Sequence, residues 1–184
     1  VLIAGDLIDF SIIPLIEENM AEDFHKIKAP IYACLGNHEY ISGLENSKEF
    51  YSQAGIRLLQ DEALLLQKYG LLLVGRDDKS NRQRKALSQL IEGHDLDSLY
   101  TIVLDHQPYH LEEAEKSGVD LQLSGHTHDG QVWPLNYITD LMYENSHGFS
   151  RRGATNYYVS SGMGIWGGKF RIGTRSEYVV ITVE

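Results

Sequence analysis

Short apolar runs, each closed by glycine or a polar turn, make up most of the first two thirds of the chain. Val1–Gly5 and Pro30–Leu35 are apolar almost throughout, as strands buried on both faces are, and Gly36 closes the second. Between them Ser11 is placed to cap a helix that carries Pro14 in its first turn. Ile12, Ile16, Met20, Phe24 and Ile27 mark one face of that helix to about residue 28. Leu44–Ala54 predicts a second helix, stopped by Gly55. Ile56–Gln60, Ala63–Lys68 and Leu71–Gly75 read as successive strands, and Lys68-Tyr69-Gly70 predicts a hairpin, which makes part of the sheet antiparallel. Arg82–Ile91 predicts a helix with Leu87, Leu90 and Ile91 inward. A strand at Tyr100–Leu104, a short helix at Leu111–Lys116 and a strand at Val119–Leu123 come next. Tyr157–Ser160 and Tyr178–Val183 read as late strands. No repeat, low-complexity tract or linker interrupts this order, so the expectation is a single α/β domain over residues 1–184.

The polar turns at the strand ends matter more than the strands themselves. "GDLID" comes after the first strand, "GNHEY" after the second, "DHQPYH" after Leu104 and "GHTHDG" after Leu123. Open α/β sheets build their sites where connecting loops gather at the carboxyl ends of strands, so these four loops are expected to converge on one edge.

Charge and cysteine content narrow the chemistry. Sixteen basic residues against 26 acidic ones give a net charge of −10. That argues against broad nucleic-acid binding and electrostatic docking on an anionic membrane, both of which need a positive face. The single cysteine, Cys34, sits in an apolar run, excludes an internal disulfide, and reads as a buried, inert thiol. No apolar stretch approaches the roughly 20 residues of a transmembrane helix. The opening "VLIAGDLIDF" reads as the interior of a strand without a lead-in, so the expectation is that upstream residues are missing, any targeting or anchoring segment among them.

Each candidate has a bland reading beside the chemical one. Gly-Asp after a strand is usually turn chemistry, which weakens Asp6 taken alone. In Gly36-Asn37-His38-Glu39, Asn37 offers a neutral oxygen and His38 a proton donor or ligand. His106 stands at a strand end. His126 and His128, two residues apart behind Gly125, diverge in an extended chain, so each could reach a different ion. One carboxylate, one amide oxygen and three imidazoles suit Mn, Fe or Zn, and without cysteine a structural thiolate zinc site is excluded. His94, His110 and His147 read as loop residues. Trp133, Tyr137, Tyr143, Phe149 and Trp166 either line a pocket or pack under loops, packing being favoured. Gly162, Gly164, Gly167 and Gly168 read as a tight turn near the metal edge.

In their order, "GDLID", "GNHE", His106 before Gln-Pro and "GHTH" resemble the calcineurin-like metallophosphoesterases, and the resemblance runs from Gly5 to the end of the chain. It implies a four-layer αββα sandwich of two mixed sheets flanked by helices, here lacking its first strand or strands. It also implies a dinuclear centre of Mn, Fe or Zn, and hydrolysis of a phosphodiester, pyrophosphate or monoester by a metal-bridging hydroxide. Asp6 would bridge both metals; Asn37, His106 and His126 would complete one site, and His128 would belong to the other. His38 would act as acid to the leaving group, with Asp9 orienting it. Arg171 would be the best placed of the C-terminal basic residues to meet substrate. "GHTHDGQVWP" and the tail are similar to a bacterial branch whose members usually carry an N-terminal membrane anchor. That branch points towards small lipid- or nucleotide-linked phosphates as substrates, with a cytoplasmic or membrane-associated location left open.

The family pattern begins with an Asp-x-His on a preceding strand. The chain's one Asp-x-His, Asp23-Phe24-His25, lies after "GDLID" on the predicted helix, where residues i and i+2 do not face together, so it is rejected as a ligand pair. The chain as it stands is therefore expected to hold one ion, at His126. A non-catalytic scaffold on the same fold, or an inactive species with a half-filled site, remain as alternatives.

Overall fold

In the computed structural model, which describes residues 1–183, two β-sheets lie face to face with helices on their outer sides. The smaller sheet contains β1 (Leu2–Ala4), β2 (Tyr32–Cys34) and β3 (Arg57–Leu58) in that order, all parallel. The larger has the order β4 (Glu62–Leu66), β5 (Leu71–Gly75), β6 (Tyr100–Leu104), β7 (Leu121–Ser124), β9 (Thr155–Val159) and β8 (Gly148–Arg152). Its β5-β6-β7-β9 centre is parallel and both edges are antiparallel, so only this sheet is mixed; the smaller one departs from the expectation of two mixed sheets.

Side-chain alternation explains the layering. In β5, Leu72 and Val74 pack outward under helices, while Leu73 faces the other sheet with Ile102, Leu104, Leu59 and Cys34. Leu87 and Leu90 of α5 (Leu87–Ile91) and Leu111 and Ala114 of α6 (Leu111–Lys116) cover the outer face of the large sheet. Ile31, Ala33 and Leu35 pack against Phe50 and Tyr51 of α4 (Leu44–Gln53) outside the small one. Three apolar layers between four layers of structure make the αββα sandwich that the resemblance implied. Cys34 lies wholly buried between the sheets, where burial pushes its thiol well above the ordinary range, as an inert residue requires.

Four elements differ from the sequence reading, each for a physical reason. The helix expected from Ser11 to residue 28 is two, α1 (Ile13–Glu17) and α2 (Met20–His25), because Asn19 adopts φ 53°, a left-handed conformation that asparagine tolerates. Ser11 does accept at its start, from Ile13 N at 3.1 Å. The helix expected from Arg82 shrinks to α5, because Arg84 and Lys85 are drawn into a polar network: Arg84 donates to Asp105 and to Asp77 O, and Lys85 N to Asp61 at 2.7 Å. Tyr178–Val183 forms no strand among the described residues, because it takes up no ladder with either sheet and apolar pattern alone does not make one. Residues 136–154, over which the apolar pattern predicts no element, contain α7 (Asn136–Met142) and β8. No helix among the described residues is long and apolar enough to cross a membrane.

Candidate metal centre

The carboxyl ends of β1, β2, β6 and β7 meet where the two sheets adjoin, and all four polar loops arrive there. Gly5 (φ 79°) and Asp6 (φ 53°) turn the chain sharply off β1. A Cβ on Gly5 would lie 2.7 Å from His106 Nδ1, and one on Gly36 would collide with the Asp6 carboxylate, so both positions are glycine because the loops touch there. Asp6 Oδ2 lies 2.8 Å from His106 Nε2, and His126 Nδ1 lies 3.3 Å from the same nitrogen. One ligand atom from each of Asp6, His106 and His126 falls within 4.8 Å of the others. His106 Nδ1 donates to Ala4 O at 2.7 Å, which ties the sheets together and leaves Nε2 as the ring atom turned to the cluster.

Asn37 supplies a further observation. Its Oδ1 is buried with no hydrogen-bond partner, and the residue lines the same cleft as Asp6, His126 and His128. An orphaned carbonyl oxygen beside a carboxylate and two imidazoles fits a cation, the one occupant that would satisfy all four. Backbone strain concentrates here as well: Asp6, His126, His128, Asp129 and Gln131 are five of the eight non-glycine residues with positive φ among the described residues.

The cluster is electrostatically strained without an ion. Burial would lower the His106 pKa, but the charge and hydrogen bond of Asp6 outweigh it and hold the ring at about 9. Burial would raise Asp6, and the His106 charge, helped by the His38 N–H at 2.8 Å, brings it below its ordinary value. His126 falls to about 4 through burial and the neighbouring His106 charge; His128 falls to about 4 through burial and Arg171. Both therefore stand neutral at pH 7, and the one acceptor nitrogen of His128, Nδ1, takes a hydrogen bond from Arg171.

His38, on α3 (Asn37–Ile41), is almost fully buried, and its Nδ1 sits 3.0 Å from Asp9 O and 3.1 Å from Asp9 Oδ1. With Nδ1–H directed to Asp9, the opposite nitrogen carries the ring's reactive lone pair or proton. His126 and His128 diverge, though not in the extended chain expected of them: both take positive φ (72° and 52°), His126 joining Asp6 and His106 while His128 Nδ1 lies 3.3 Å from Arg171. Arg171 stands behind His128, donating to the carbonyls of His128 (3.0 Å), Ser161 (2.6 Å) and Gly164 (2.6 Å). Asp23 and His25 lie away from the site, paired with Lys26 and with Gln53 O, in keeping with their rejection. His110 is an exposed helix-capping residue beside Glu112, and His147 sits between Asp129 and Glu177. Packing under loops is overturned for most of the aromatics: Trp133, Tyr137, Phe149 and Trp166 are each more than half exposed, and only Tyr143 is buried.

Sequence reasoning passed over two residues that hold the site together. Glu39 is fully buried and accepts from Gly36 N (2.7 Å), Asp6 N (3.0 Å), Ile8 N (3.1 Å) and the Tyr51 hydroxyl (3.0 Å), locking the two loops in register. Gln131 exchanges hydrogen bonds with Trp166 and donates to Gly168 O, pinning the glycine-rich turn against the His128 loop. An acid directly after "GNH" and a glutamine directly after "GHTHDG" were signals available for both.

Comparison with known proteins agrees with this geometry. Residues 1–130 match the family model described as calcineurin-like phosphoesterase. The chain is 33% identical to an uncharacterized metallophosphoesterase of Aquifex aeolicus, over 98% of this chain and 70% of that protein. It is 34% identical to an uncharacterized metallophosphoesterase of Helicobacter pylori, over 96% of this chain and 49% of that protein. It is 30% identical to a Danio rerio transmembrane protein with metallophosphoesterase domain, over the whole chain and 45% of that protein. The chain thus spans about half the length of the last two.

Proposed function

We propose, since the chain belongs to the calcineurin-like phosphoesterase family, that it hydrolyses phosphoester bonds with the help of metal ions held at the Asp6 cluster. The observation that carries this reading is the convergence of Asp6, His106 and His126 beside the unpartnered Asn37 Oδ1. Those four residues would hold one ion, and Asp6 and His128 would contribute to a second. Carboxylate, amide and imidazole donors suit Mn, Fe or Zn. When bound, two such ions supply Lewis acidity for phosphoryl oxygens and a hydroxide nucleophile at neutral pH.

The chain's own residues do the rest. His38, held at Nδ1 by Asp9, presents its other nitrogen to protonate the leaving-group oxygen. Arg171 fixes the His128 loop by its carbonyl bonds, so its effect on substrate runs through His128. Glu39 keeps Asp6 and the Asn37-His38 turn at a fixed separation. Association with a membrane belongs to the same proposal, supported by the name of the Danio rerio relative.

The test is hydrolysis of bis(4-nitrophenyl) phosphate and 4-nitrophenyl phosphate by Mn²⁺-loaded protein, with His126→Ala and His38→Ala alongside. Turnover lost in His126→Ala together with metal, and reduced about 10²- to 10⁴-fold in His38→Ala with metal retained, is the expected result. A well-folded, metal-bound wild type without activity on either ester sinks the reading and restores the scaffold alternative.

A further inference from the structure

From the walls of the same cleft, and resting on the reading of its floor as a phosphoesterase centre, we infer that the organic part of the substrate is an alkyl chain. The cleft has a volume of about 520 Å³, within the range of small-molecule sites. One side of it is the polar group of Asp6, Asn37, His38, His126 and His128. The remainder is built chiefly from Leu135, Ile138 and Met142, joined by Phe10, Ile41 and Trp166. These six are each between 46% and 57% exposed, so they are neither core nor isolated surface residues but an uncovered apolar wall.

Leu135, Ile138 and Met142 stand at i, i+3 and i+7, the spacing of one helical stripe, and α7 buries none of its residues. A helix of seven residues is marginal by itself. Here its apolar stripe faces the cleft uncovered, where a ligand could bury it. No lysine or arginine is among the residues lining the cleft, and the Nη1 and Nη2 groups of Arg171 are spent on backbone carbonyls and on His128 Nδ1. A nucleoside polyphosphate or a nucleic acid would bring several negative charges to a wall without one cation, on a protein of net charge −10. A single phosphoryl group at the donor cluster with a hydrocarbon tail along α7 matches both halves. The same charge argues against an anionic bilayer lying on this face, so the occupant is a single amphiphile seated in the cleft.

Methyl-, butyl- and octylphosphonate test this directly, because their carbon–phosphorus bonds keep binding separate from hydrolysis. Calorimetric titration below the micelle concentration, with Mn²⁺ and again with chelator, reads the chain-length dependence. Burial of each methylene is expected to tighten binding about two- to four-fold, so octylphosphonate binds at least about 15-fold more tightly than butylphosphonate. The increment per methylene is the same with and without Mn²⁺, whereas the common headgroup contribution changes. Ile138→Ser combined with Met142→Ser, both at exposed positions, brings the octyl-to-butyl ratio close to one. Equal affinity along the series overturns the inference, even where the nitrophenyl esters are hydrolysed and the phosphoesterase reading stands. Self-association of the protein that hides the wall, seen as octylphosphonate binding that falls with protein concentration, overturns it as well. If the chain-length dependence holds but no ester is hydrolysed, the apolar subsite stands and the phosphoesterase reading falls.

Discussion

Loading metal into this site should expel a proton, and the amount follows from one ion pair. In the metal-free protein His106 titrates at about 9, because the Asp6 carboxylate 2.8 Å away outweighs the cost of burying the charge. At pH 7 the ring is therefore protonated, and a cation must displace that proton before Nε2 can coordinate. His126 and His128, lowered to about 4, are already neutral and release nothing. Two pH units of protonation cost about 2.7 kcal/mol, or roughly 100-fold in apparent affinity at pH 7. Binding of the first Mn²⁺ or Zn²⁺ is thus expected to release about one proton, and its affinity to rise about tenfold per unit from pH 7 to 8.5. Isothermal titration in buffers of different ionisation enthalpy gives the proton count from the slope of observed heat against buffer heat. At pH 9.5 the release should fall to about a quarter of a proton. A release below about 0.3 proton at pH 7, with affinity flat to pH 8.5, would show that His106 is not a protonated ligand-in-waiting and refute the reasoning.

Three further outcomes are expected from the same contacts. Gly36→Ala, at an ordinary negative φ, places a methyl group against the Asp6 carboxylate; metal affinity is expected to fall about tenfold or more, with a urea midpoint shift showing a cost of about 1–3 kcal/mol. Glu39→Gln turns an amide N–H₂ towards backbone donors that now meet a carboxylate oxygen, which should cost about 2–4 kcal/mol in urea unfolding and weaken metal binding; a stability equal to wild type would refute the clamp. In chelator the fold should lose stability as pH falls from about 6.5 towards 4. The unfolded chain protonates His126 and His128 near 6.5 while the folded one resists until about 4, and the pair together accounts for about 2 kcal/mol after allowance for solvent screening. His106, raised instead of lowered, adds stability as pH falls from about 9 to about 6 and is without slope only below about 6, where it is protonated in both states. Urea midpoints at about pH 6 and about pH 4.5 therefore decide it, equal midpoints counting against the lowered imidazoles.

Most of the site's residues were legible along the chain because the chemistry is local to each loop. A strand-ending glycine followed by Asp6, Asn37-His38, His106 or His126 is visible in a handful of neighbouring letters. The residues that depend on distant partners were not. Glu39 looks like an ordinary exposed acid until the β1 loop brings the N–H groups of Asp6 and Ile8 to it. Arg84 lies in a plausible helical pattern until Asp105, 21 residues on, claims its guanidinium. Tyr178–Val183 is apolar and β-branched enough for a strand, yet a strand exists only through a neighbouring edge, and composition cannot supply one.

Sequence alone singled out the side chains that the proposed chemistry would use, since Asp, Asn and His recur together in the turns that follow the strands. It also determined the layering, because strands that are apolar almost throughout have both faces to bury. Only the tertiary structure decided how those donors are shared. His126 closes on Asp6 and His106 while His128 turns to Arg171, a split set by positive backbone angles and by contacts 43 residues apart. It also decided that Leu135, Ile138 and Met142 stay uncovered beside the site. Apolar spacing on a helix marks a face to be buried; whether a core or a ligand buries it depends on what the rest of the fold leaves there.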